Sequence, residues 1–129
     1  MNTVLADTPT KAFAIPELAP GEKYIGAIIN ADGTGHHIIL LAGDQAELTW
    51  QAARDWATSI GGTLPDRVEQ AMLFKHHRAD FAKDYYWSSE ELAGLESYAW
   101  CQGFGSGNQG SWGKGSEFRA RAVRRLPIQ

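Results

Sequence analysis

The chain predicts an α+β protein in which two helices pack to one side of a mostly antiparallel sheet, and three observations carry that expectation. An apolar, β-branched hairpin occupies residues 22–41, two stretches with helix-cap signals follow over 49–78, and the remainder to residue 125 is rich in Trp, Tyr, Gly and Ser. At 129 residues the chain has the length of one domain, enough to bury a single core without disulfides or a structural metal.

Residues 1–20 read as an extended arm ahead of a domain at 21–129. Pro16 and Pro20 bias the residues before them away from helix, and the segment holds no sustained apolar period. An arm of this kind suits assembly more than chemistry. It lacks the basic start and uninterrupted apolar core of a signal peptide, so synthesis and folding in a cytosol are expected. No window approaches the roughly 18 apolar residues of a membrane span.

In the hairpin, Lys23 to Ile29 and His36 to Leu41 are the strands, and Asn30-Ala31-Asp32-Gly33-Thr34-Gly35 supplies the turn. Asn30 and Asp32 are oxygen ligands two apart, but the further acidic ligands of a calcium loop are missing. His36 and His37 fall on opposite faces of a strand, which prevents both from ligating one metal in the simple way.

Thr49 is a cap for the first helix, in which Trp50, Ala53, Trp56, Ala57 and Ile60 follow helical spacing, and Gly61-Gly62 ends it. Asp66 caps the second helix with Glu69 in capping-box register. Val68, Ala71, Met72 and Lys75 share a face, with Leu73 and Phe74 widening the apolar stripe expected to be buried, and His76-His77-Arg78 places positive charge at its end. Adjacent residues on a helix face different ways, so His76 and His77 do not form a zinc pair.

The remaining strands are Tyr85 to Ser89, Tyr98 to Cys101, the neighbourhood of Ser111-Trp112, and Phe118 to Arg125, joined by glycine-rich turns. On the last of these, by strand alternation, Arg121 shares a face with Arg119 and Val123, while Phe118, Ala120 and Ala122 face the other way. A near-buried Arg121 needs a carboxylate, and Glu69 is the natural candidate, making both residues structural. Arg124 and Arg125 then reach solvent or a partner.

The formal charge of -3 gives no reason to expect nucleic acid. Cys101 is the only cysteine, which excludes an intrachain disulfide and reads as a packing residue. The sequence contains no nucleophile elbow, phosphate loop, zinc-protease motif or Cys-x-x-Cys pair. Asp66 and Glu69 already cap a helix. The expectation is a protein that is not an enzyme and carries no cofactor or metal.

Taken together, Leu48-Thr49-Trp50-Gln51-Ala52-Ala53, Gly61-Gly62-Thr63-Leu64-Pro65-Asp66-Arg67-Val68-Glu69, Tyr86-Trp87-Ser88-Ser89, Ala99-Trp100 and Arg121-Ala122-Val123-Arg124 resemble a bacterial and phage family of C-type-lectin-like domains. That family has a Thr-Trp helix start, a Leu-Pro-x-x-x-Glu helix start, a Tyr-Trp-Ser-Ser segment and a terminal Arg-x-Val-Arg strand in this order. It occurs in collagen-like adhesins and in phage and prophage structural genes. The resemblance covers residues 45–126 and implies a C-type-lectin-like fold: terminal strands paired, here Tyr24 to Ile29 beside Phe118 to Arg125, two flanking helices and a long loop region. The paired cysteines and calcium-binding triplets of secreted animal lectins are absent from this sequence.

The function expected from the resemblance is a phage or prophage virion component of the tail-tip, fibre or decoration class. Made in the host cytoplasm and located in the virion, it would bind other virion proteins or a host surface receptor, glycans included, as a homo-oligomer or within a larger assembly. Tyr85, Trp100, Phe104 and Trp112 are the expected anchors, with Ser106, Asn108, Gln109 and Ser111 as a hydrogen-bonding rim. Beyond these eight, Trp87 is a candidate anchor too, and both it and Trp100 have a competing reading as core residues. A free-standing lectin, with Trp112 or Trp100 stacked on a sugar, is the second reading, and a degenerate sulfatase-activating enzyme the third.

Overall fold

Local signals set most of the element boundaries. The computed structural model describes residues 14–128. Of the predicted arm, residues 1–13 lie outside the described residues; Ala14 to Ala19 form neither helix nor strand, and a turn begins at Pro20. Strands β1 (Lys23–Ile29) and β2 (Gly35–Leu40) form the predicted antiparallel hairpin, closed by Asn30 donating its amide to Thr34 O at 2.6 Å. After β3 (Gln45–Leu48) comes helix α1 (Trp50–Ser59), and the Thr49 hydroxyl accepts from the Ala52 amide as its cap.

Gly61, at φ +87°, ends α1. Its amide bonds to Thr58 O and that of Gly62 to Ala57 O, the paired pattern of a Schellman motif. Helix α2 (Arg67–His77) opens with the predicted capping box: Glu69 donates its amide to Asp66 Oδ1, and Asp66 donates its own to Glu69 Oε1, both at 2.8 Å. A short 3-10 turn (Arg78–Asp80) follows. The chain then runs through β4 (Tyr85–Leu92), β5 (Leu95–Gly103), β6 (Gln109–Gly113), β7 (Phe118–Ala120) and β8 (Val123–Pro127).

These strands make two sheets, ordered β1-β2-β8 and β3-β7-β4-β5-β6. All pairings are antiparallel except a single parallel bridge, Tyr86 with Arg119, between β4 and β7. The mixed helix-and-strand composition agrees with the α+β expectation, while three details differ. First, β1 does not neighbour the last strand; β2 does, from His36 opposite Pro127 to Leu40 opposite Val123. Second, the predicted strand from Phe118 to Arg125 is broken at Arg121-Ala122. The break resets the side-chain alternation, so Ala122 and Val123 are both buried.

Third, the helices do not share one side of the large sheet. Neighbouring residues on a strand point to opposite faces, and each face of β4 and β5 has its own core. Trp87, Ala99 and Cys101 pack against Trp50, Ala53 and Ala57 of α1. Tyr86 packs with Leu73 of α2, Phe81, Phe104 and the small-sheet residues Ile25, Ile38, Leu40 and Val123. Buried rings keep their polar atoms partnered, as Trp87 Nε1 donates to Leu48 O and Trp50 Nε1 to Ser88 O, each at 2.8 Å.

The buried face of α2 also departs from expectation. Glu69, Gln70 and Leu73 are buried, while Val68 and Ala71 are exposed. Apolar spacing misplaced this helix because two of its inward residues are polar. Gln70 Nε2 donates to Tyr86 O and Trp87 O, both at 3.1 Å. Glu69 receives Arg125 in a two-pronged pair, Nε to Oε2 at 2.7 Å and Nη2 to Oε1 at 2.6 Å, with His36 Nε2 at 3.0 Å from Oε2.

Glu69 is therefore structural, but its arginine is Arg125 and not Arg121. Arg125, expected at solvent or a partner, is bound within the fold. Arg121 remains a structural residue through other contacts: Nη1 donates to Asp80 O at 2.8 Å and Nη2 to Leu41 O at 2.7 Å. Arg124 pairs with Glu22 at 2.8 Å.

Candidate functional site

The eight residues predicted as one binding patch occupy four different environments. Phe104 is in the core, 4% exposed, with its ring stacked on Phe81 at 4.0 Å and edge-on to Tyr86. Its glycine neighbours suggested a surface loop, whereas Phe81, more than twenty residues earlier, supplies the partner that buries it. Tyr85 and Trp112 lie on the α1 face of the large sheet, half-buried, 4.6 Å apart, and both packed against Phe118. They roof the first core instead of standing free.

Ser106 and Asn108 are exposed at the tip of the β5–β6 connection, with the Ser106 hydroxyl donating to Asn108 Oδ1. Trp100, Ser111 and Gln109 are half-buried. The pairings of Trp100 with Ser111 and Gln102 with Gln109 set these residues on the face opposite Trp87 and Cys101, the side covered by α2. Trp87 is core, as its competing reading held, while Trp100 is only partly covered.

On this α2 side lies a cleft of about 510 Å³, lined by Arg67, Val68, Ala71 and Phe74 of α2, Glu90 of β4, and Gln102, Gly107 and Gln109. That volume is in the range of small-ligand sites. One wall is apolar, and Val68 is 60% exposed. The other is a connected polar network. Gln109 Nε2 donates to Arg67 O at 2.8 Å and to Gln102 Oε1 at 2.9 Å, while Gln109 Oε1 accepts from Arg67 Nε at 2.9 Å. Gln102 is fixed in turn by donating to Gly103 O at 3.0 Å.

The Arg67 guanidinium lies over the Trp100 ring, 3.5 Å from its centroid. Glu90 Oε2 accepts the Arg67 amide at 2.7 Å, occupying the first turn of the helix where a negative charge is favoured. The tip is pinned at Gly107: at φ +87°, an added Cβ would stand 2.7 Å from the Phe74 ring.

Gln109 and Trp100 are thus the predicted site residues that this cleft involves, through its lining and through the arginine stacked beside it. Arg67, Val68, Ala71, Phe74, Glu90 and Gln102 were not anticipated. The usable signal was the capping box. Once Glu69 turns inward to Asp66, helical geometry turns Val68 and Ala71 outward.

Three further ionisable groups, Cys101, Tyr86 and Glu69, have structural environments. Burial raises the Cys101 thiol far above its ordinary range, and the residue has no exposure, which makes it a poor nucleophile. Tyr86 is pushed up to about 12 by burial and by Asp44, to which it donates at 2.5 Å. Burial pushes the Glu69 carboxyl up, but Arg125, the Asp66 amide and His36 outweigh it and hold the group below the ordinary carboxylate range. Among the described residues there is no group of three His, Cys, Asp or Glu able to hold a metal ion, and no helix long and apolar enough to cross a membrane.

The motif segments also meet in space: Trp50 bonds to Ser88, the Ser89 amide to Pro65 O at 2.9 Å, and Thr63 exchanges two amide hydrogen bonds with Val123. No family model matches the chain, and no curated protein matches it in sequence.

Proposed function

We propose that the chain is a C-type-lectin-like domain acting as a binding module, in a phage or prophage virion component of the tail-tip, fibre or decoration class. Its partner is another virion protein or a host surface receptor. Support for the fold comes from the contacts among the motif segments, Trp50 with Ser88, Ser89 with Pro65 and Thr63 with Val123. These are the segments on which the family resemblance rests, and here each braces another.

The observation that carries the functional reading is the cleft beside α2, where an exposed aliphatic wall faces a polar wall fixed by Gln102, Gln109 and Arg67. Fixed donors and acceptors beside apolar ground favour recognition, because little side-chain freedom is lost on binding. Sugar stacking is less favoured by the rings present: Arg67 lies over Trp100, and Trp112 packs with Tyr85 and Phe118.

The labelled full chain is expected to bind purified particles of the phage or prophage that encodes it, or cells of the host. Val68→Asp should reduce that binding at least tenfold with an unchanged melting temperature. Absence of binding to both particles and cells, or full binding by Val68→Asp, would overturn the reading.

A further inference from the structure

We infer that the cleft recognises a peptide segment of the partner that presents an Asp or Glu carboxylate beside an aliphatic residue, with Arg67 as the carboxylate anchor. This rests on the cleft being the binding site. Arg67 offers five N–H donors. Among the described residues only Nε is engaged, by Gln109, while Nη1 and Nη2 have no acceptor. The guanidinium is nevertheless held in place by Gln109 at one edge and Trp100 beneath it. A planar fork held in position with free terminal donors suits a carboxylate, which it can engage through two parallel hydrogen bonds.

Of the residues lining the cleft, only Arg67 and Glu90 carry charge. Glu90 would repel an anion, but its Oε2 is engaged by the Arg67 amide at the positive end of α2. Arg67 thus remains the cleft's attractive charge, weakened and not cancelled by its neighbour. The apolar half of the ligand follows from the opposite wall. Val68 and Ala71 are exposed aliphatic side chains, while Phe74 has Arg78 over its ring at 4.5 Å and Gly107 against its edge. An aliphatic side chain fits this ground better than a sugar ring, which would gain most from stacking on an open aromatic face.

The test is a titration of the full chain, followed by NMR at Arg67 Nε–H and Trp100 Nε1–H. Acetyl-Leu-Glu-amide should shift both signals saturably, and acetyl-Leu-Gln-amide, which lacks only the charge, should bind about tenfold more weakly. Arg67→Lys should weaken the Glu peptide by a similar factor, since a point charge replaces the fork. Glu90→Gln should strengthen it about two- to fivefold by removing the opposing charge.

Equal binding of the two peptides, no shift with either at millimolar concentration, or weaker binding by Glu90→Gln would overturn the inference. Tighter binding of glucuronate than of the Glu peptide at these signals would overturn the peptide assignment. If Val68→Asp abolishes particle or cell binding while the Glu peptide moves neither signal, the cleft is a binding site and its ligand is not the one inferred. If Val68→Asp leaves that binding intact, the error lies in the earlier reading of the cleft.

Discussion

The inner and outer faces of α2 each meet an arginine and use it differently. Inward, Arg125 closes on a carboxylate with no exposure and also bonds to Thr63 Oγ1 and Leu64 O, so its donors are largely consumed. Outward, Arg67 is oriented by a single hydrogen bond and a stacked ring, and its terminal donors stay open. The residue type is the same and the helix is the same. What separates a structural arginine from a recognition arginine is how many of its donors the fold itself satisfies.

Substitutions on the inner face should therefore cost stability, and those on the outer face should cost binding alone. The largest effect is expected for Phe104→Ala, which empties the stack against Phe81 and should destabilise by about 3–5 kcal/mol in urea unfolding. A loss under about 1 kcal/mol would mean that the aromatic core beneath α2 contributes little. Next comes Glu69→Gln, which leaves Arg125 without its countercharge and should cost about 3 kcal/mol.

Acid should act at the same place. The folded-state carboxyl of Glu69 is held below its ordinary value, so its contribution is fully present above the ordinary carboxylate range and is lost as pH falls through the lower, folded-state value. Melting temperatures measured downward from pH 7 should fall in that acid window, and Glu69→Gln should flatten the fall. An identical pH slope in the variant would assign acid sensitivity to other carboxylates.

The smallest stability effects belong to the outer face. Arg67→Lys and Val68→Asp should each stay within about 0.5 kcal/mol of the parent chain, as exposed positions generally do. A loss near that of Glu69→Gln would dissolve the distinction between the two faces.

Features governed by near neighbours were legible in the sequence. Thr49, Asp66 with Glu69, Gly61 and the Asn30–Gly35 turn each act within a few residues, and each stands where the sequence put it. Features that depend on distant partners were not. Phe104 was misplaced because Phe81 is remote in sequence, and Arg121 because nothing local marks the break between β7 and β8. The cleft was not legible for a third reason: Glu69 and Gln70 are polar residues on a buried face, so apolar periodicity alone turns α2 the wrong way and hides Val68 and Ala71. Of the predicted patch, Gln109 and Trp100 came closest because Gln109 belongs to the polar wall and Trp100 carries its arginine.

The seat of Gly107 against Phe74 bears on how such a chain could change over generations. Because the tip is held by Gly107 against Phe74 and by main-chain hydrogen bonds, Gly103 N to Asn108 O and Gly107 N to Gly103 O, the side chains at its exposed positions Gly105, Ser106 and Asn108 can be exchanged without moving the wall behind them. Preference for one target over another could then drift by replacements along this rim, leaving the cores as they are, whereas any side chain at the anchor would lift the whole tip away from the helix.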